Sequence, residues 1–208
     1  MAVRVNPTRM ELTRLKKRLK TAVRGHKLLK DKRDEMVRRF MGYIRRDKEL
    51  REEVEAALAA ALGRAAVAGA EMGGEALTEA LLYPARLAKV KTGTRNIMSV
   101  DVPTVQFIGT DEPADLPYGF AFTSSELDGA VLDLAALLPK LLELAEVEKT
   151  CNMLADEIEK TRRRVNALEH VMIPEMNETI RFITMKLEEN ERGNQNRLMK
   201  VKEMMVAE

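Results

Sequence analysis

The residues of this chain that could perform chemistry are few, and their spacing does not form a catalytic site. No Gly-x-x-x-x-Gly-Lys-Ser/Thr phosphate-binding loop and no Gly-x-Gly-x-x-Gly motif occurs, and Lys91-Thr92-Gly93 lacks the preceding glycines of such a loop. His26 and His170 are too few for a histidine-rich metal site, and one cysteine, Cys151, can form neither an internal disulfide nor a zinc cluster. The sequence therefore predicts no cofactor and no metal, and it argues against an enzyme that acts alone.

Basic residues near the N-terminus are the strongest candidates for a binding surface. Residues 1–50 contain 17 Lys and Arg against 6 Asp and Glu, whereas the remaining residues contain 18 basic and 27 acidic groups. The basic side chains could be solvated, could contact acidic surfaces of partner proteins, or could bind nucleic acid. Because no stacking aromatics or reading motif accompany them, nucleic acid is disfavoured. We expect a protein-contact surface that includes Arg9, Arg14, Lys17, Arg18, Arg24 and Lys27.

Two segments, one near each end, must position these groups. Both repeat apolar residues at alternating spacings of three and four, and this mean spacing of 3.5 indicates the buried seam of a supercoiled helix pair. Because the N-terminal segment is basic and the remainder acidic, we expect the two helices to pair antiparallel. The N-terminal seam comprises Leu12, Leu15, Leu19, Ala22, His26, Leu29, Arg33, Met36, Phe40 and Tyr43. The C-terminal seam comprises Val147, Cys151, Leu154, Ile158, Thr161, Val165, Leu168, Met172, Glu175, Thr179 and Phe182.

Four polar residues interrupt these seams and are predicted to set the register of the helix pair, because polar seam positions weaken a coiled coil but exclude slipped pairings. They are His26, Arg33, Thr161 and Glu175. If Leu62 lies opposite Ala130, Arg33 falls near residues 158–162 and Glu159 is its expected partner. Cys151 is predicted to be a buried small residue and not a nucleophile.

Capping and breaking residues predict the bounds of the helices. Thr8 and Glu11 have the spacing of a capping box, and the helical pattern continues to about Leu62. An Ala- and Gly-rich helical stretch follows to Gly73-Gly74, and a short helix is expected over 75–82, before Pro84. We therefore expect an N-terminal coiled-coil helix over 1–62, a middle region over 63–126 and a C-terminal coiled-coil helix over 127–208.

The middle region changes to Val, Ile and Thr, which predicts a small β-hairpin at about 87–108. The expected strands are 87–92, 96–102 and 104–108, with a turn at Thr92-Gly93-Thr94, while Pro103 divides the later strands at an edge or corner. Residues 111–118, which contain Pro113 and Pro117, are expected to form a loop.

The second long helix is predicted to begin at the capping segment Thr123-Ser124-Ser125-Glu126 and to continue past Leu198. It contains Pro139 and Pro174, and a proline inside a helix removes one hydrogen bond and bends it. A bend at Pro174, inside the seam, would help the two helices to wrap around each other.

Composition fits a thin helix pair better than a round domain, because charged residues make up 33% of the chain and aromatics only 4%. The most apolar run, 130–147, is broken by Asp133, Lys140 and Glu143, so it predicts no membrane span. The N-terminus lacks the apolar core of a signal peptide. We therefore expect an intracellular protein with no direct membrane insertion.

Four segments resemble the D subunit of the V-type (archaeal and bacterial A/V-type) ATPases and occur in the same order as in that family. Asn6–Lys17 and Arg24–Glu35 resemble its N-terminal helix, and 95–103, with the sequence Arg-Asn-Ile-Met-Ser-Val-Asp-Val-Pro, resembles its middle region. The fourth segment runs from Arg163 to Glu169 and on to Ile173-Pro174.

The resemblance implies a rotor subunit of the central stalk, without nucleotide-binding residues of its own. Its paired helices would stand inside a ring of A and B subunits, and its middle region would contact the F subunit of the stalk and the funnel-shaped subunit on the membrane rotor ring. The complex would place it in the cytoplasm, peripheral to the membrane. The resemblance also implies that the hairpin tunes ATP hydrolysis, with Ile97, Met98, Val100, Val102 and Pro103 as its expected residues. A coiled-coil scaffold or chaperone-like protein is the alternative.

Overall fold

The structure is a computed structural model that describes residues 5–83, 89–108, 116–119, 121 and 123–206. Its elements are two long helical arms with a two-stranded antiparallel hairpin between them, which confirms the predicted fold class. In chain order they are α1 (Arg9–Met72), α2 (Gly74–Ala80), β1 (Lys89–Ile97), β2 (Val100–Ile108), α3 (Ser125–Ala167), a π-helical turn (Leu168–Met172) and α4 (Ile173–Val206). The chain divides into two compact units. The first comprises Met1–Glu35 and Ile158–Glu208, and the second comprises Met36–Glu157.

The ends of α1 follow the predicted signals. The Thr8 hydroxyl accepts a hydrogen bond from the Glu11 N–H at 3.2 Å, which satisfies one of the amides that the first helical turn leaves without a partner. The helix continues without interruption from the predicted coiled-coil segment through the Ala- and Gly-rich stretch and ends at Met72, which confirms the end predicted near Gly73-Gly74. Gly73 has φ of 85°, a conformation that glycine adopts without strain. α2 begins one residue earlier and ends two residues earlier than predicted, and Pro84 lies outside the described residues.

The predicted N-terminal seam is confirmed along its whole length. Leu15 and Met36 are buried, and the other members, including His26, Arg33 and Tyr43, are at least half-buried. Neighbouring residues such as Lys16 and Lys17 are exposed. One narrow face of α1 is therefore buried, as a coiled-coil seam requires.

The C-terminal seam is confirmed only as far as Leu168. Its later members Met172, Glu175 and Phe182 are exposed, and Thr179 alone of this group is buried. The protected positions are instead Ile173 and Met176, which are half-buried, and Ile183, which is buried; each lies one residue beyond a predicted position. The prediction for Met172, Glu175 and Phe182 was wrong because the chain has one more residue in this part of the helix than a regular repeat allows.

That extra residue is the π-helical turn. The Ile173 N–H donates to the Leu168 carbonyl, five residues back, whereas an α-helix bonds four residues back. Pro174 follows directly, and a proline ring in a regular helix clashes with the carbonyl four residues earlier. The wider turn before Pro174 accommodates the ring, so the predicted helix irregularity at this proline takes the form of a π turn that also shifts the seam by one residue.

The hairpin has two strands, not three. Lys89 pairs with Ile108 and Ile97 with Val100, so the reversal lies at Met98-Ser99 and not at Thr92-Gly93-Thr94. Gly93 lies inside β1 opposite Thr104, where a Cβ on residue 93 would come within 2.8 Å of the Thr104 hydroxyl. This glycine therefore allows the two strands to approach closely. In the sequence alone, a glycine with this role looks the same as a glycine in a turn.

Pro103 lies within β2, opposite Thr94, and does not divide it. A two-residue turn makes Ile97 and Val100 a hydrogen-bonded pair, so bonded and non-bonded pairs alternate from there and Pro103 falls in a non-bonded pair. In a non-bonded pair the backbone nitrogen points away from the partner strand, so the missing N–H of Pro103 costs no hydrogen bond to β1. The expectation that Pro103 lies at a strand edge is thus confirmed, since both strands of a two-stranded sheet are edges.

The turn of the hairpin is strained, and this leads to a first prediction. Met98 and Ser99 have φ of 53° and 72°, which residues other than glycine adopt at a cost of roughly 1–2 kcal/mol each. We expect Ser99→Gly to slow amide exchange in the hairpin by about tenfold, measured by NMR on the full chain. Ser125→Gly, at the exposed first residue of α3, is the control and should not slow it. Unchanged or faster exchange in Ser99→Gly would contradict a strained turn.

α3 begins where the capping segment predicts. The Ser124 hydroxyl accepts a hydrogen bond from the Glu126 N–H at 3.4 Å, and the Leu127 N–H donates to the Ser124 carbonyl at 3.1 Å. Of the predicted loop at 111–118, the structure describes only Leu116, Pro117 and Tyr118, and Pro113 lies outside it. The Tyr118 hydroxyl donates to Asp128 at 2.9 Å, which ties this segment to the first turn of α3.

Candidate protein-contact surfaces

In the first unit, one ion pair and one histidine–carboxylate contact join α1 to the C-terminal helical segment in antiparallel order. Arg9 pairs with Glu191, and farther along α1 the His26 Nε2 atom lies 3.3 Å from the Glu169 Oε2 atom. The partner number falls as the α1 number rises, so the two segments run in opposite directions. The antiparallel pairing expected from the charge distribution is confirmed in this unit.

The predicted basic surface lies on the exposed side of α1. All six of its members are exposed, but they differ in their partners. Arg9 pairs with Glu191, and Arg14 lies 3.6 Å from Glu11. Among residues that the structure describes, no ion pair involves the remaining four members, which are Lys17, Arg18, Arg24 and Lys27. These four cations are the part of the surface that remains available for a partner.

The polar seam residues occupy different environments. Thr161 is buried, and the His26 side chain is 19% exposed beside Glu169. The Arg33 guanidinium binds its neighbour Asp34 at 2.7 and 2.9 Å, and Glu159 pairs with Arg163. The predicted Arg33–Glu159 pair was therefore wrong, because each of the two side chains has an opposite charge nearby on its own helix.

Glu175, the remaining predicted register residue, is exposed. Its carbonyl accepts a hydrogen bond from the Thr179 hydroxyl at 2.7 Å, while its side chain lies off the seam as a result of the π turn. The buried polar member at this end of the helix is Thr179, whose own hydroxyl is satisfied by that bond.

In the second unit, four ion pairs join α1 to α3. Arg46 pairs with Glu143, Arg51 with Glu148, Lys140 with Glu53, and Arg64 with Asp133 at 2.8 Å. Three of the four place the basic partner on α1, as the charge distribution predicts. Since their side chains are largely exposed, each contributes only roughly 0–1 kcal/mol. From Arg46–Glu143 to Arg64–Asp133 the partner number falls as the α1 number rises, as in an antiparallel pair. The Arg64–Asp133 pair agrees, to within about one helical turn, with the expected proximity of Leu62 and Ala130.

The hairpin packs against the helices of the second unit. Ile97, Val100 and Val102 are buried, whereas Met98 and Pro103 are half-buried. The Val105 N–H donates to the Glu146 Oε2 atom of α3 at 2.8 Å. A cleft of about 410 Å³ lies beside this contact. Its lining residues include Tyr43, Arg46, Arg95, Phe107, Pro139 and Leu142.

Cys151 is half-buried in the second unit and is poorly suited to nucleophilic chemistry. Burial raises the pKa of its thiol, and the nearby carboxylates of Asp47 and Glu148 raise it further. Because the thiolate is the reactive form, the thiol is held in its unreactive state. Burial and the bond to Asp128 likewise raise the pKa of the Tyr118 hydroxyl.

Within residues 5–83, 89–108, 116–119, 121 and 123–206, no group of three or more His, Cys, Asp or Glu side chains could hold a metal ion. None of the helices in those same ranges is sufficiently long and apolar to cross a bilayer.

Comparison with known proteins decides between the shaft-like and scaffold interpretations. The profile of a family described as the ATP synthase D subunit matches residues 11–203. The chain belongs to this family of ATP synthase D subunits. It is 58% identical to the V-type ATP synthase D subunit of Acetivibrio thermocellus, over 98% of this chain and 93% of that protein. It is also 58% identical to one of Clostridium botulinum, over 99% and 96% of the two chains. A Thermoanaerobacter protein of the same name is 53% identical, over 98% of each chain.

Membership in the D-subunit family confirms the resemblance found in the sequence. It makes the chain a central-stalk subunit of a rotary V-type ATPase, and the scaffold or chaperone alternative is no longer needed. Residue-level contacts are a separate matter, and two of those seen in the structure escaped sequence analysis. Glu146 accepts the Val105 N–H and Tyr43 lies beside Arg95 of β1, yet both helix residues are separated from their hairpin partners by tens of residues along the chain. Only the seam position of Tyr43 hinted at a packing role.

Proposed function

We propose that this subunit is the non-catalytic shaft of the motor, which transmits torque between the catalytic ring of A and B subunits and the membrane rotor that moves ions. The observation that carries the proposal is the division of each helix pair into a narrow apolar seam and a broad charged surface. A paired helix is stiffer than a single one, and a charged surface can contact a partner and release it. Extensive apolar burial against the ring would oppose rotation.

The partners that fit this function are the F subunit of the stalk, the ring of A and B subunits and the funnel-shaped subunit above the membrane rotor. The chain would work in the cytoplasm as a peripheral part of the complex. Contact with acidic surfaces of the ring best suits the four cations that have no ion pair within the described residues, which are Lys17, Arg18, Arg24 and Lys27. An asymmetric shaft would favour a different nucleotide state at each surrounding interface through differential contacts.

Reconstitution tests this proposal directly. The full chain is mixed with the F subunit and an A/B ring, and assembly and ATP hydrolysis are followed by size-exclusion chromatography and a turnover assay. We expect a complex whose turnover differs from that of the ring alone. Replacing Lys17, Arg18, Arg24 and Lys27 by Gln should weaken assembly by about tenfold or more, since each exposed contact contributes roughly 0–1 kcal/mol.

Two further variants complete the experiment. The charge-matched control replaces four other exposed cations by Gln and should assemble normally; these are Arg45, Lys149, Lys160 and Arg162. Deleting residues 87–108 should leave assembly intact and change the rate of hydrolysis. A chain that neither joins the ring nor alters turnover would overturn the shaft function, and loss of assembly on deletion would make the hairpin structural.

A further inference from the structure

The hairpin is packed unevenly along its length. Its buried side chains, Ile97, Val100 and Val102, all lie within three residues of the turn at Met98-Ser99. Toward the strand ends, Phe107 and Ile108 are exposed, as is Val90 on the facing strand. Apolar contacts therefore anchor the half that contains the turn, while the half near the strand ends depends on polar contacts.

In this weakly packed half, one backbone amide on the outer edge of β2 donates a hydrogen bond to a side chain of α3. Val105 lies opposite Thr92 in a non-bonded pair, so its N–H points away from β1, where no third strand is present among the described residues. Glu146 accepts this N–H at 2.8 Å in a half-buried setting. A carboxylate that accepts a backbone N–H makes a hydrogen bond stronger than one between neutral groups.

Other polar contacts are weaker substitutes for this one. The Arg95 guanidinium reaches the Tyr43 hydroxyl only at 3.5 Å, which is long for a hydrogen bond. Glu143, one turn before Glu146 on α3, is already paired with Arg46. The adjacent cleft is lined by Phe107, Pro139 and Leu142, so the strand ends have space to change position.

We propose that Glu146 is the positioning residue that holds the half of the hairpin near the strand ends against α3. We also propose that the hairpin tunes ATP hydrolysis only while this contact is made. The first half of the proposal stands on the geometry of the second unit. The second half rests on the function that the family resemblance implies for the hairpin, which is to tune ATP hydrolysis. Glu146 acts through the hairpin and touches no nucleotide.

Amide exchange of the isolated full chain tests the first half. We expect Glu146→Ala to accelerate exchange of the Val105 amide by about tenfold, the loss typical of one charge-assisted hydrogen bond, as measured by NMR. The Val102 amide, in the anchored half, should be unaffected. Glu146→Gln keeps an acceptor oxygen and should restore most of the protection, and Asp156→Ala, an exposed carboxylate of the same helix, is the matched control. Parental exchange in Glu146→Ala, or equal acceleration in Asp156→Ala, overturns the proposal.

Hydrolysis by the reconstituted complex tests the second half. Glu146→Ala should change turnover at least twofold in the same direction as deletion of 87–108, and Glu146→Gln and Asp156→Ala should behave like the parent. If the deletion changes turnover and Glu146→Ala does not, control through Glu146 is overturned. If the deletion itself has no effect on an assembled complex, the proposed function of the hairpin fails, while the Val105 exchange rates still decide whether Glu146 positions it.

Discussion

Deletion of one residue from the C-terminal helical arm is expected to destabilise the first unit strongly at one site and only slightly at another. Deletion of Arg162, an exposed residue in the regular helix before the π turn, should lower the free energy of unfolding by about 3 kcal/mol or more. The deletion would bring Asn166 and Glu169 to the positions that Val165 and Leu168 now occupy. Burial of such polar groups without partners is costly.

The helix has one means of correcting that shift, and it is also costly. Conversion of the π turn to a regular α-helical turn would restore the seam beyond residue 172. It would also place the Pro174 ring against the carbonyl four residues before it, at a cost of about 3 kcal/mol. Either outcome therefore destabilises the unit.

Deletion of His170 together with Pro174→Ala is the matched comparison. His170 is exposed within the π turn, so its loss removes the extra residue, and the alanine removes the steric conflict. Thr179 and Ile183 then remain on the buried face. We expect the free energy of unfolding to stay within about 1 kcal/mol of the parent value, since no buried group changes place. Urea denaturation of the full chain, followed by circular dichroism, measures both variants. Equal destabilisation of the two would show that the π turn does not set the seam.

Truncation of Leu154 is expected to have the second large effect. Its side chain is 0% exposed in α3, at a predicted seam position. Replacing a buried leucine by alanine removes apolar contact and leaves a cavity, with a usual cost of about 2–5 kcal/mol. In a two-helix seam, fewer side chains surround each position than in a globular core. We therefore expect Leu154→Ala to lower the free energy of unfolding by about 3 kcal/mol, within the lower half of this range.

Leu198→Ala provides the control for this experiment. Leu198 lies in α4, is 69% exposed and undergoes the same chemical change. Exposed substitutions of this kind usually alter stability by less than about 0.5 kcal/mol. Thermal and urea unfolding of both variants should separate them clearly. A Leu154→Ala variant as stable as Leu198→Ala would mean that the seam contributes little to the folded state.

The second unit shows how charge and apolar packing divide their roles. Buried residues such as Val54 and Leu137 remove apolar surface from water, which is the main source of stability. The four cross-helix ion pairs are exposed and contribute little energy each, so they add charge complementarity between α1 and α3 more than stability. The hairpin is then held at its turn by packing and near its strand ends by Glu146.

Most of the helical architecture could be predicted from local patterns. Thr8, Gly73 and Ser124 mark helix boundaries because capping and left-handed conformations depend on a few neighbouring residues. The hairpin was predicted as a β segment, but Gly93 was interpreted as its turn. The actual turn at Met98-Ser99 uses residues that seldom adopt positive φ, so propensity could not reveal it.

The amino-acid sequence by itself determined the mainly helical fold, the N-terminal seam, the antiparallel charge pattern and the family. These depend on spacing, composition and ordered motifs, which are properties of the chain alone. Only the tertiary structure decided that Arg33 binds Asp34 and that Glu146 binds the hairpin, because those contacts depend on which side chains meet in the folded chain. It also decided that Glu175 leaves the seam, since the extra residue of the π turn moves most of the buried positions that follow by one residue, to Ile173, Met176 and Ile183.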